Sequence, residues 1–241
     1  MRPLTIAKLS LALALLLACG GEPTASPDAA APSRSMLDAP SVDVTAPLAE
    51  VSVPEAAPTV LFMGDSIGAG LHLAEHQAFP ALLQQRLAAT GQPFHLVNAS
   101  ESGRTAAGGA SAIEWSLRTD PDVVVIELGG NDGLRGISIE QTERNLRTMI
   151  EASRAAGARV MLLGVRLPPN YGEAAAKFDA LYPALAQEYD LTFVPFFMDG
   201  VGGVPEMNLA DGLHPTAAGH ERLAQNVESS LRGLLIELSG D

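Results

Sequence analysis

Residues 58–70 read Pro58-Thr-Val-Leu-Phe-Met-Gly-Asp-Ser-Ile-Gly-Ala-Gly70, and the predicted architecture is built around this segment. The apolar run from Val60 to Met63 is typical of a short strand that is buried on both faces of a sheet. The run stops at Gly64, and small residues that permit turns follow it. We therefore expect Ser66 at the carboxyl end of a strand, on the edge where open α/β sheets bind ligands.

Strand-like and helix-like segments alternate from this stretch onward. Strands are predicted at residues 60–63, 94–97, 122–128, 160–165 and 192–195. Helices are predicted at residues 78–89, 106–117, 138–156, 172–189 and 216–235, with an interruption at Pro183. This alternation predicts an α/β fold, a flavodoxin-like three-layer α/β/α sandwich around a five-stranded parallel sheet in the order 2-1-3-4-5. In that order the loops that carry Ser66, Gly103 and Asn131 converge on one edge of the sheet.

The bulk composition excludes several classes of function. The chain has 241 residues and 47% hydrophobic content, enough for one domain with a substantial core. A net charge of −13 argues against nucleic acid as a partner, because no basic surface would neutralise phosphates. The single cysteine, Cys19, excludes an intrachain disulfide and a zinc site built from several cysteines. The region that follows it has no thiol, so a cysteine nucleophile is excluded there.

The amino terminus reads as a targeting segment. Arg2 and Lys8 precede an apolar run over residues 9–18, which is shorter than the ~20 residues that a membrane span needs. We expect a signal peptide over residues 1–18. Leu16-Leu-Ala-Cys19 resembles the bacterial lipobox, in which the cysteine becomes the lipidated first residue. The alternative is an ordinary cleaved signal with a chance cysteine.

Residues 19–57 are expected to connect this anchor to one folded domain over residues 58–238. The connecting segment is rich in Ala, Pro, Ser and acidic residues, which predicts a disordered tether. Gly20, rather than an aspartate, follows Cys19, which by analogy favours sorting to the outer membrane. We therefore expect a lipoprotein of the cell envelope that faces the periplasm and is held at the membrane through Cys19.

Two short motifs near Ser66 offer competing interpretations. Residues 64–68 fit the G-x-S-x-G nucleophile elbow of α/β-hydrolases, although such an enzyme places several strands before its nucleophile. Residues 72–76 fit the zinc motif H-x-x-E-H. A zinc helix is disfavoured there by Gly70 before the motif and Pro80 after it, and no third ligand is evident. We expect no metal site, and expect His72 and His76 to line the rim of the cleft or face solvent.

Asp211-Gly-Leu-His214 near the carboxyl end supplies the groups that a nucleophilic serine needs. A histidine takes the proton of the serine, and a carboxylate orients the ring and stabilises the imidazolium. An aspartate three residues before a histidine, in a loop that enters a helix, can turn back to meet the ring. Taken alone, the same residues are also compatible with a turn aspartate and a surface histidine.

Acyl transfer also needs hydrogen-bond donors for the oxyanion of the tetrahedral intermediate. Three candidates follow neighbouring strands: the backbone N–H groups of Ser66 and Gly103, and the side-chain amide of Asn131. Gly103 permits close approach of the backbone because it has no Cβ atom. Each position also has an ordinary interpretation, as a loop glycine or a turn asparagine.

Together these blocks resemble the GDSL, or SGNH, hydrolase family. Its order and spacing are matched by Gly64-Asp-Ser66, Gly103, Gly129-Gly-Asn-Asp132 and Asp211-Gly-Leu-His214. Residues 127–136, 166–172 and 195–198 are further similar to the bacterial multifunctional thioesterase I, protease I and lysophospholipase (arylesterase) subgroup. The resemblance extends over residues 58–235. Two places differ from the family pattern: Ile67 replaces the usual leucine, and residues 200–208 are expected to reshape the acyl pocket.

The resemblance implies a serine esterase that acts on carboxylic esters or thioesters, including lysophospholipids, without a metal or organic cofactor. It implies Ser66 as nucleophile, His214 as base and Asp211 as its orienting carboxylate, with an acyl-serine intermediate. It also implies that residues 133–137 move over bound acyl chains. We expect the substrate site to be lined by residues next to the nucleophile and the oxyanion donors, namely Asp65, Gly130, Leu134 and Arg135.

Two other functions remain open at this stage. The same fold also removes acetyl groups from carbohydrates, and a shallow pocket would favour such an O-deacetylase. The chain is also compatible with a tethered binding lipoprotein in which the catalytic groups are inert. In each case we expect a monomer.

Overall fold

The computed structural model describes residues 52–240. The predicted signal peptide, Cys19 and most of the predicted tether lie outside the described residues. None of the helices in the described part is both long enough and apolar enough to cross a membrane.

Five parallel strands form one sheet in the order β2-β1-β3-β4-β5, which confirms the predicted flavodoxin-like order. The strands are β1 (Thr59–Gly64), β2 (His95–Asn98), β3 (Val123–Glu127), β4 (Arg159–Leu163) and β5 (Thr192–Val194). The two central strands, β1 and β3, pair in register from Val60 with Val123 to Gly64 with Glu127. They are covered on both faces, which explains why both read as continuous apolar runs.

Helices cover both faces of the sheet. They are α1 (Phe79–Ala89), α2 (Ala106–Ser116), α3 (Gly130–Leu134), α4 (Ile139–Ala155), α5 (Glu173–Tyr189) and α6 (Ala217–Ser239). α1 packs against α6, whereas α2 packs against α4, and α4 also contacts α5. The helices α2, α4 and α6 begin at a capping hydroxyl, since Thr105, Ser138 and Thr216 each accept a hydrogen bond from the backbone N–H three residues later.

The predicted interruption at Pro183 is wrong, because α5 runs through this residue without a break. A proline inside a helix removes one hydrogen bond and crowds the preceding turn. Here Tyr182 and Leu185, on either side of Pro183, are each 1% exposed and pack into the core. The hydroxyl of Tyr182 also donates to the carbonyl of Leu128 at 2.9 Å, so tertiary contacts hold both halves of α5 in one line.

The short helix α3 was not predicted, because Gly129-Gly130 reads as a turn. Gly129 has φ 114°, and a Cβ atom there would lie 2.1 Å from the hydroxyl of Tyr182. Glycine is therefore required at this position both by the backbone and by its neighbour. The fully buried Asp132 then fixes α3, since its carboxylate accepts hydrogen bonds from the N–H of Ala106 (2.8 Å) and the hydroxyl of Thr142 (3.3 Å).

Candidate active site

Ser66 lies in a tight turn at the carboxyl end of β1. The N–H of Ala69 donates to the carbonyl of Asp65 at 3.0 Å, and the N–H of Leu71 donates to the carbonyl of Ser66 at 3.0 Å. Turns and a short 3-10 helix follow, and α1 begins only at Phe79. The serine is therefore presented by a turn at the sheet edge rather than by the strand-to-helix elbow of an α/β-hydrolase.

The two glycines around Ser66 are needed because other side chains approach closely. A Cβ atom on Gly64 would lie 2.5 Å from Oε2 of Glu127 and 2.6 Å from Oγ of Ser100. A Cβ atom on Gly68 would lie 2.4 Å from the same Ser100 oxygen and 3.0 Å from the same Glu127 oxygen. The G-x-S-x-G spacing thus arises from the packing of Glu127 and Ser100 under the turn.

The structure brings Ser66, His214 and Asp211 into one hydrogen-bonded chain. Nε2 of His214 lies 2.9 Å from Oγ of Ser66, and Nδ1 of His214 lies 2.7 Å from Oδ2 of Asp211. An ionised carboxylate can only accept, so Nδ1 of the neutral ring carries the hydrogen. Nε2 is then the unprotonated nitrogen, and the hydroxyl of Ser66 donates to it.

Backbone hydrogen bonds close the loop that carries His214. The N–H of Leu209 donates to the carbonyl of His214 at 2.7 Å, and the N–H of Gly212 donates to the carbonyl of Leu209 at 2.8 Å. Gly212 has φ 68°, a conformation that favours glycine. The N–H of Thr216 then donates to the carbonyl of Met207 at 2.9 Å, so the chain enters α6 directly after His214.

Asp211 is held in its ionised form by three hydrogen bonds. Oδ1 accepts from the backbone N–H groups of His214 (3.0 Å) and Leu213 (2.9 Å), and Oδ2 faces the histidine ring. The bond from the His214 N–H is the largest cause that lowers the pKa of Asp211, followed by the bond from the ring and that from the Leu213 N–H. At neutral pH this carboxylate therefore accepts the Nδ1 hydrogen.

Asn131 lies beside Asp65, the residue before the nucleophile, whereas Gly103 lines a separate depression. Nδ2 of Asn131 donates to Oδ2 of Asp65 (3.1 Å) and to the carbonyl of Arg104 (3.1 Å). Gly103 has φ 81°, in the loop that follows β2. The other residues that line this shallow depression lie between positions 101 and 112, whereas Asn131 and Ser66 line a deeper cavity.

The deeper cavity has a volume of about 470 Å³, and Ser66 is one of the residues that line it. Its wall is mainly apolar, contributed by Leu134, Val165, Leu167, Phe196, Phe197, Met198 and Leu213 among others.

Of the residues predicted to line the substrate site, Asp65, Gly130 and Leu134 do so. Arg135 does not line this cavity; its Nη2 instead lies 3.4 Å from Oδ1 of Asn131. The unusual segment 200–208 contributes Gly202, Gly203 and Asn208.

Asp65 and Glu127 form a buried carboxyl pair in the wall of the cavity. Oδ1 of Asp65 accepts from the N–H of Ile67 at 3.0 Å, and Oε2 of Glu127 accepts from the N–H groups of Asp65 and Gly68, both at 3.2 Å. Burial raises the pKa of both carboxyl groups, and the neighbouring Asp65 charge raises the pKa of Glu127 further, to well above its ordinary value.

The sequence predicted no role for Glu127 or Asp132, and it predicted His72 only at the rim of the cleft or facing solvent. The ring of His72 meets that of His214 edge-on, with centroids 6.2 Å apart, and the backbone of His72 has φ 70°. Glu127 ends the buried strand β3, and Asp132 directly follows Gly129-Gly-Asn131. Charged residues next to a buried apolar run are rare, and this pattern in the sequence could have indicated both residues. No feature of the sequence indicates that the ring of His72 meets that of His214.

The H-x-x-E-H segment does not form a continuous α-helix. Residues 71–73 are turns, and Glu75–Gln77 is a 3-10 helix. Within residues 52–240, no group of three or more histidine, aspartate or glutamate side chains has an arrangement that could hold a metal ion.

Comparisons with known proteins agree with this geometry. The GDSL-like lipase/acylhydrolase family matches residues 62–222. Esterase TesA of Pseudomonas aeruginosa is 50% identical over 182 residues, covering 75% of this chain and 90% of that protein. The thioesterase 1/protease 1/lysophospholipase L1 of Escherichia coli K12 is 39% identical over 182 residues, covering 75% and 86% respectively. A crystal structure of TesA has a TM-score of 0.71 and 49% identity, and the match covers 73% of this chain and 99% of the other.

Proposed function

The chain belongs to the GDSL-like lipase/acylhydrolase family, and we propose that it hydrolyses acyl esters and thioesters through Ser66, His214 and Asp211. Its relatives are named esterase and thioesterase, so it is a hydrolase of ester bonds. The observation that carries the assignment of residues is the 2.9 Å contact between Oγ of Ser66 and Nε2 of His214, with Asp211 on the other nitrogen.

In the first step, Oγ of Ser66 attacks the acyl carbonyl while its proton passes to Nε2 of His214. The ring becomes an imidazolium, whose charge is stabilised by the ionised Asp211. The tetrahedral intermediate collapses when the C–O or C–S bond breaks, and His214 gives the proton to the leaving alcohol or thiol. The acyl group is then covalently attached to Ser66.

The oxyanion of this intermediate is stabilised by the N–H groups of Ser66 and Gly103 and by the amide of Asn131. Both Nδ2 hydrogens of Asn131 have acceptors in the structure. Asp65 keeps one of them in the proposed mechanism, and the oxyanion replaces the carbonyl of Arg104 as acceptor of the other.

Deacylation repeats the steps with water as nucleophile. His214 takes a proton from water as the oxygen attacks the acyl carbon, and returns it to Oγ of Ser66 when the acyl–serine bond breaks. The carboxylic acid leaves and the free serine is restored. All proton transfers use His214.

The shape and polarity of the cavity support fatty acyl groups as substrates rather than acetyl groups on a carbohydrate. A volume of about 470 Å³ is within the range of ligand pockets, and the apolar wall offers few partners for sugar hydroxyls. The acyl chain of an ester, thioester or lysophospholipid would lie along Leu167, Phe196 and Met198. The leaving group would then lie on the other side of Ser66.

Hydrolysis of p-nitrophenyl esters from acetyl to palmitoyl tests the proposal, with Ser66→Ala as the matched variant. We expect kcat/KM to be highest at medium or long chains and to vanish in Ser66→Ala. A profile restricted to acetyl would favour the O-deacetylase alternative, and unchanged hydrolysis in Ser66→Ala would contradict the assignment of the nucleophile.

The membrane location is proposed from the sequence of residues 1–19 alone. Lipidation of Cys19 would anchor the enzyme in the cell envelope and bring the cavity close to lipid substrates. Radiolabelled palmitate in a bacterial host tests this, since Cys19→Ser should lose both the label and sedimentation with membranes. Incorporation of label into Cys19→Ser would contradict the anchor.

A further inference from the structure

Glu127 has no role in the acyl-transfer steps given above, yet it accepts hydrogen bonds from the turn that carries Ser66 and lies beside Asp65, the acceptor of the Asn131 amide. The side chains of Asp65 and Glu127 are 5% and 2% exposed, and Oε2 of Glu127 lies 3.2 Å from the backbone nitrogen of Asp65, so the two carboxyl groups are buried side by side. Two adjacent ionised carboxylates in a buried site repel each other, and burial raises the pKa of both groups, so one of them retains its proton. The pair therefore holds a single proton and a single negative charge.

The surrounding donors indicate which carboxyl group carries the proton. Both oxygens of Asp65 accept from N–H groups, Oδ1 from Ile67 and Oδ2 from Asn131. The two backbone N–H groups that reach Glu127 both bind Oε2, and Oε1 is left to carry the proton. This distribution makes Asp65 the ionised acceptor and Glu127 the donor.

We propose that Glu127 is a positioning residue, which donates its proton to Asp65 and thereby holds the amide of Asn131 in the orientation that the oxyanion needs. This inference rests on the oxyanion role proposed for Asn131. An amide presents a donor at one end and an acceptor at the other. An ionised Asp65 accepts only, so it selects the NH₂ end of Asn131, while the guanidinium of Arg135 faces the carbonyl end at 3.4 Å.

Without the proton on Glu127, this selection would fail. Two adjacent buried carboxylates repel each other, and Asp65 would either move or take up a proton itself. A protonated Asp65 can donate to the carbonyl of Asn131, which permits the opposite orientation of the amide. Glu127 therefore acts on the reaction through Asp65 and Asn131, without touching the substrate carbonyl.

No cation replaces this proton in the part of the chain that the structure describes. The ion pairs of residues 52–240 do not include Asp65 or Glu127. His214 and Tyr182, from other elements, interact electrostatically with the pair; the ring of His214 faces Ser66, and the hydroxyl of Tyr182 donates to the carbonyl of Leu128. Neither donates a hydrogen bond to the pair.

The first test measures the proton directly. Infrared spectra of the enzyme at pH 8, with and without carboxyl-¹³C glutamate, should contain a protonated carboxyl band that shifts with the label. The band should be absent from Glu127→Gln. If labelled wild-type enzyme has no shifting band, the pair holds no glutamic acid proton and the proposal is overturned, whether or not the variant folds.

The second test asks whether the pair acts through Asn131. Asp65→Asn places an amide donor against the Asn131 amide, and we expect kcat to fall about 10²-fold, as when one oxyanion donor is lost. The double variant Asp65→Asn/Asn131→Ala should have a kcat within about threefold of Asn131→Ala alone, because the two residues form one unit. Losses that multiply would indicate separate structural roles and overturn the proposal.

Two controls separate this proposal from the function on which it rests. Glu127→Gln can still donate to Asp65 and should retain at least about tenfold more kcat than Glu127→Ala, which cannot. If both variants lose kcat equally, donation by residue 127 is not what matters. Ser66→Ala is assayed in parallel, since activity that survives in this variant would contradict the proposed function itself rather than the role of Glu127.

Discussion

Nε2 of His214 lies 2.9 Å from Oγ of Ser66, although 148 residues separate them in the chain. β1 delivers the serine at the sheet edge, and the loop before α6 delivers the histidine to the same edge. This contact aligns the base with the nucleophile. Activity should therefore depend on the orientation of this ring more than on any movement of the sheet.

Replacing Asp211 with asparagine should disturb that orientation without removing the loop. The new Oδ1 can still accept from the N–H groups of Leu213 and His214, but the new NH₂ group faces Nδ1 and favours the wrong ring tautomer. We expect kcat for a p-nitrophenyl ester to fall about 10³- to 10⁴-fold, with unchanged circular dichroism. A loss below tenfold would mean that Asp211 does not orient the ring.

Asn131→Ala removes one proposed oxyanion donor. We expect kcat to fall about 10²- to 10³-fold with little change in KM, since the donor acts mainly on the charge of the intermediate. Steady-state kinetics with an octanoyl ester measure both constants. Asn170→Ala is the matched control, because Asn170 is exposed and does not line the cavity. Equal effects in the two variants would argue against the oxyanion role.

Met198→Trp should shorten the apolar cavity. Met198 lines the wall, and a larger ring there would displace about two methylene groups of a bound chain. At about 0.8 kcal/mol per buried methylene, kcat/KM for a long acyl ester should fall roughly tenfold relative to a butyryl ester. Ile236→Trp, on the exposed face of α6, should leave the ratio unchanged. An unchanged ratio in Met198→Trp would place the acyl chain elsewhere.

His220 should make the fold sensitive to acid. It is 1% exposed, and its Nδ1 accepts from the N–H of Phe79 at 3.1 Å, which requires the neutral ring. Burial, and then the charge of His214, lower its pKa to about 4 from the ordinary 6.5. The unfolded chain therefore binds the proton first. The contribution of His220 to stability is complete above about pH 6.5 and is lost as the pH falls towards 4.

Urea unfolding at pH 7 and pH 4 measures this contribution. When the pH is lowered from 7 to 4, the free energy of unfolding of the wild type should fall by on the order of 3 kcal/mol more than that of His220→Gln. His76→Gln, which alters an exposed histidine, should show the same pH dependence of the free energy of unfolding as the wild type. Parallel pH dependence in the wild type and His220→Gln would contradict a neutral buried His220.

The sequence predicted those features that depend on local pattern. Buried strands such as Val123–Glu127 need continuous apolar runs, and parallel strands joined by helices allow few topologies. The convergence of Ser66, Asn131 and His214 on one edge follows from that topology together with the family resemblance. These predictions needed no knowledge of side-chain packing.

Features that depend on tertiary packing could not be predicted from the sequence. Nothing local indicates that the neighbours of Pro183 keep α5 continuous, or that Asp132 holds α3 together through Ala106 and Thr142. The clash that a Cβ atom at Gly64 would make with Glu127 is likewise visible only when β1 and β3 are paired. Each depends on residues that are distant in the chain.

Covalent labelling of the purified enzyme with a p-nitrophenyl alkylphosphonate, followed by peptide mass spectrometry, tests whether Ser66 is the nucleophile. The phosphonate traps the serine that attacks the carbonyl of an ester. We predict one label per chain, on the peptide that contains Ser66, no label in Ser66→Ala, and much slower labelling in Asp211→Asn. A label on a different residue, or equal labelling of Ser66→Ala, would contradict Ser66 as the nucleophile.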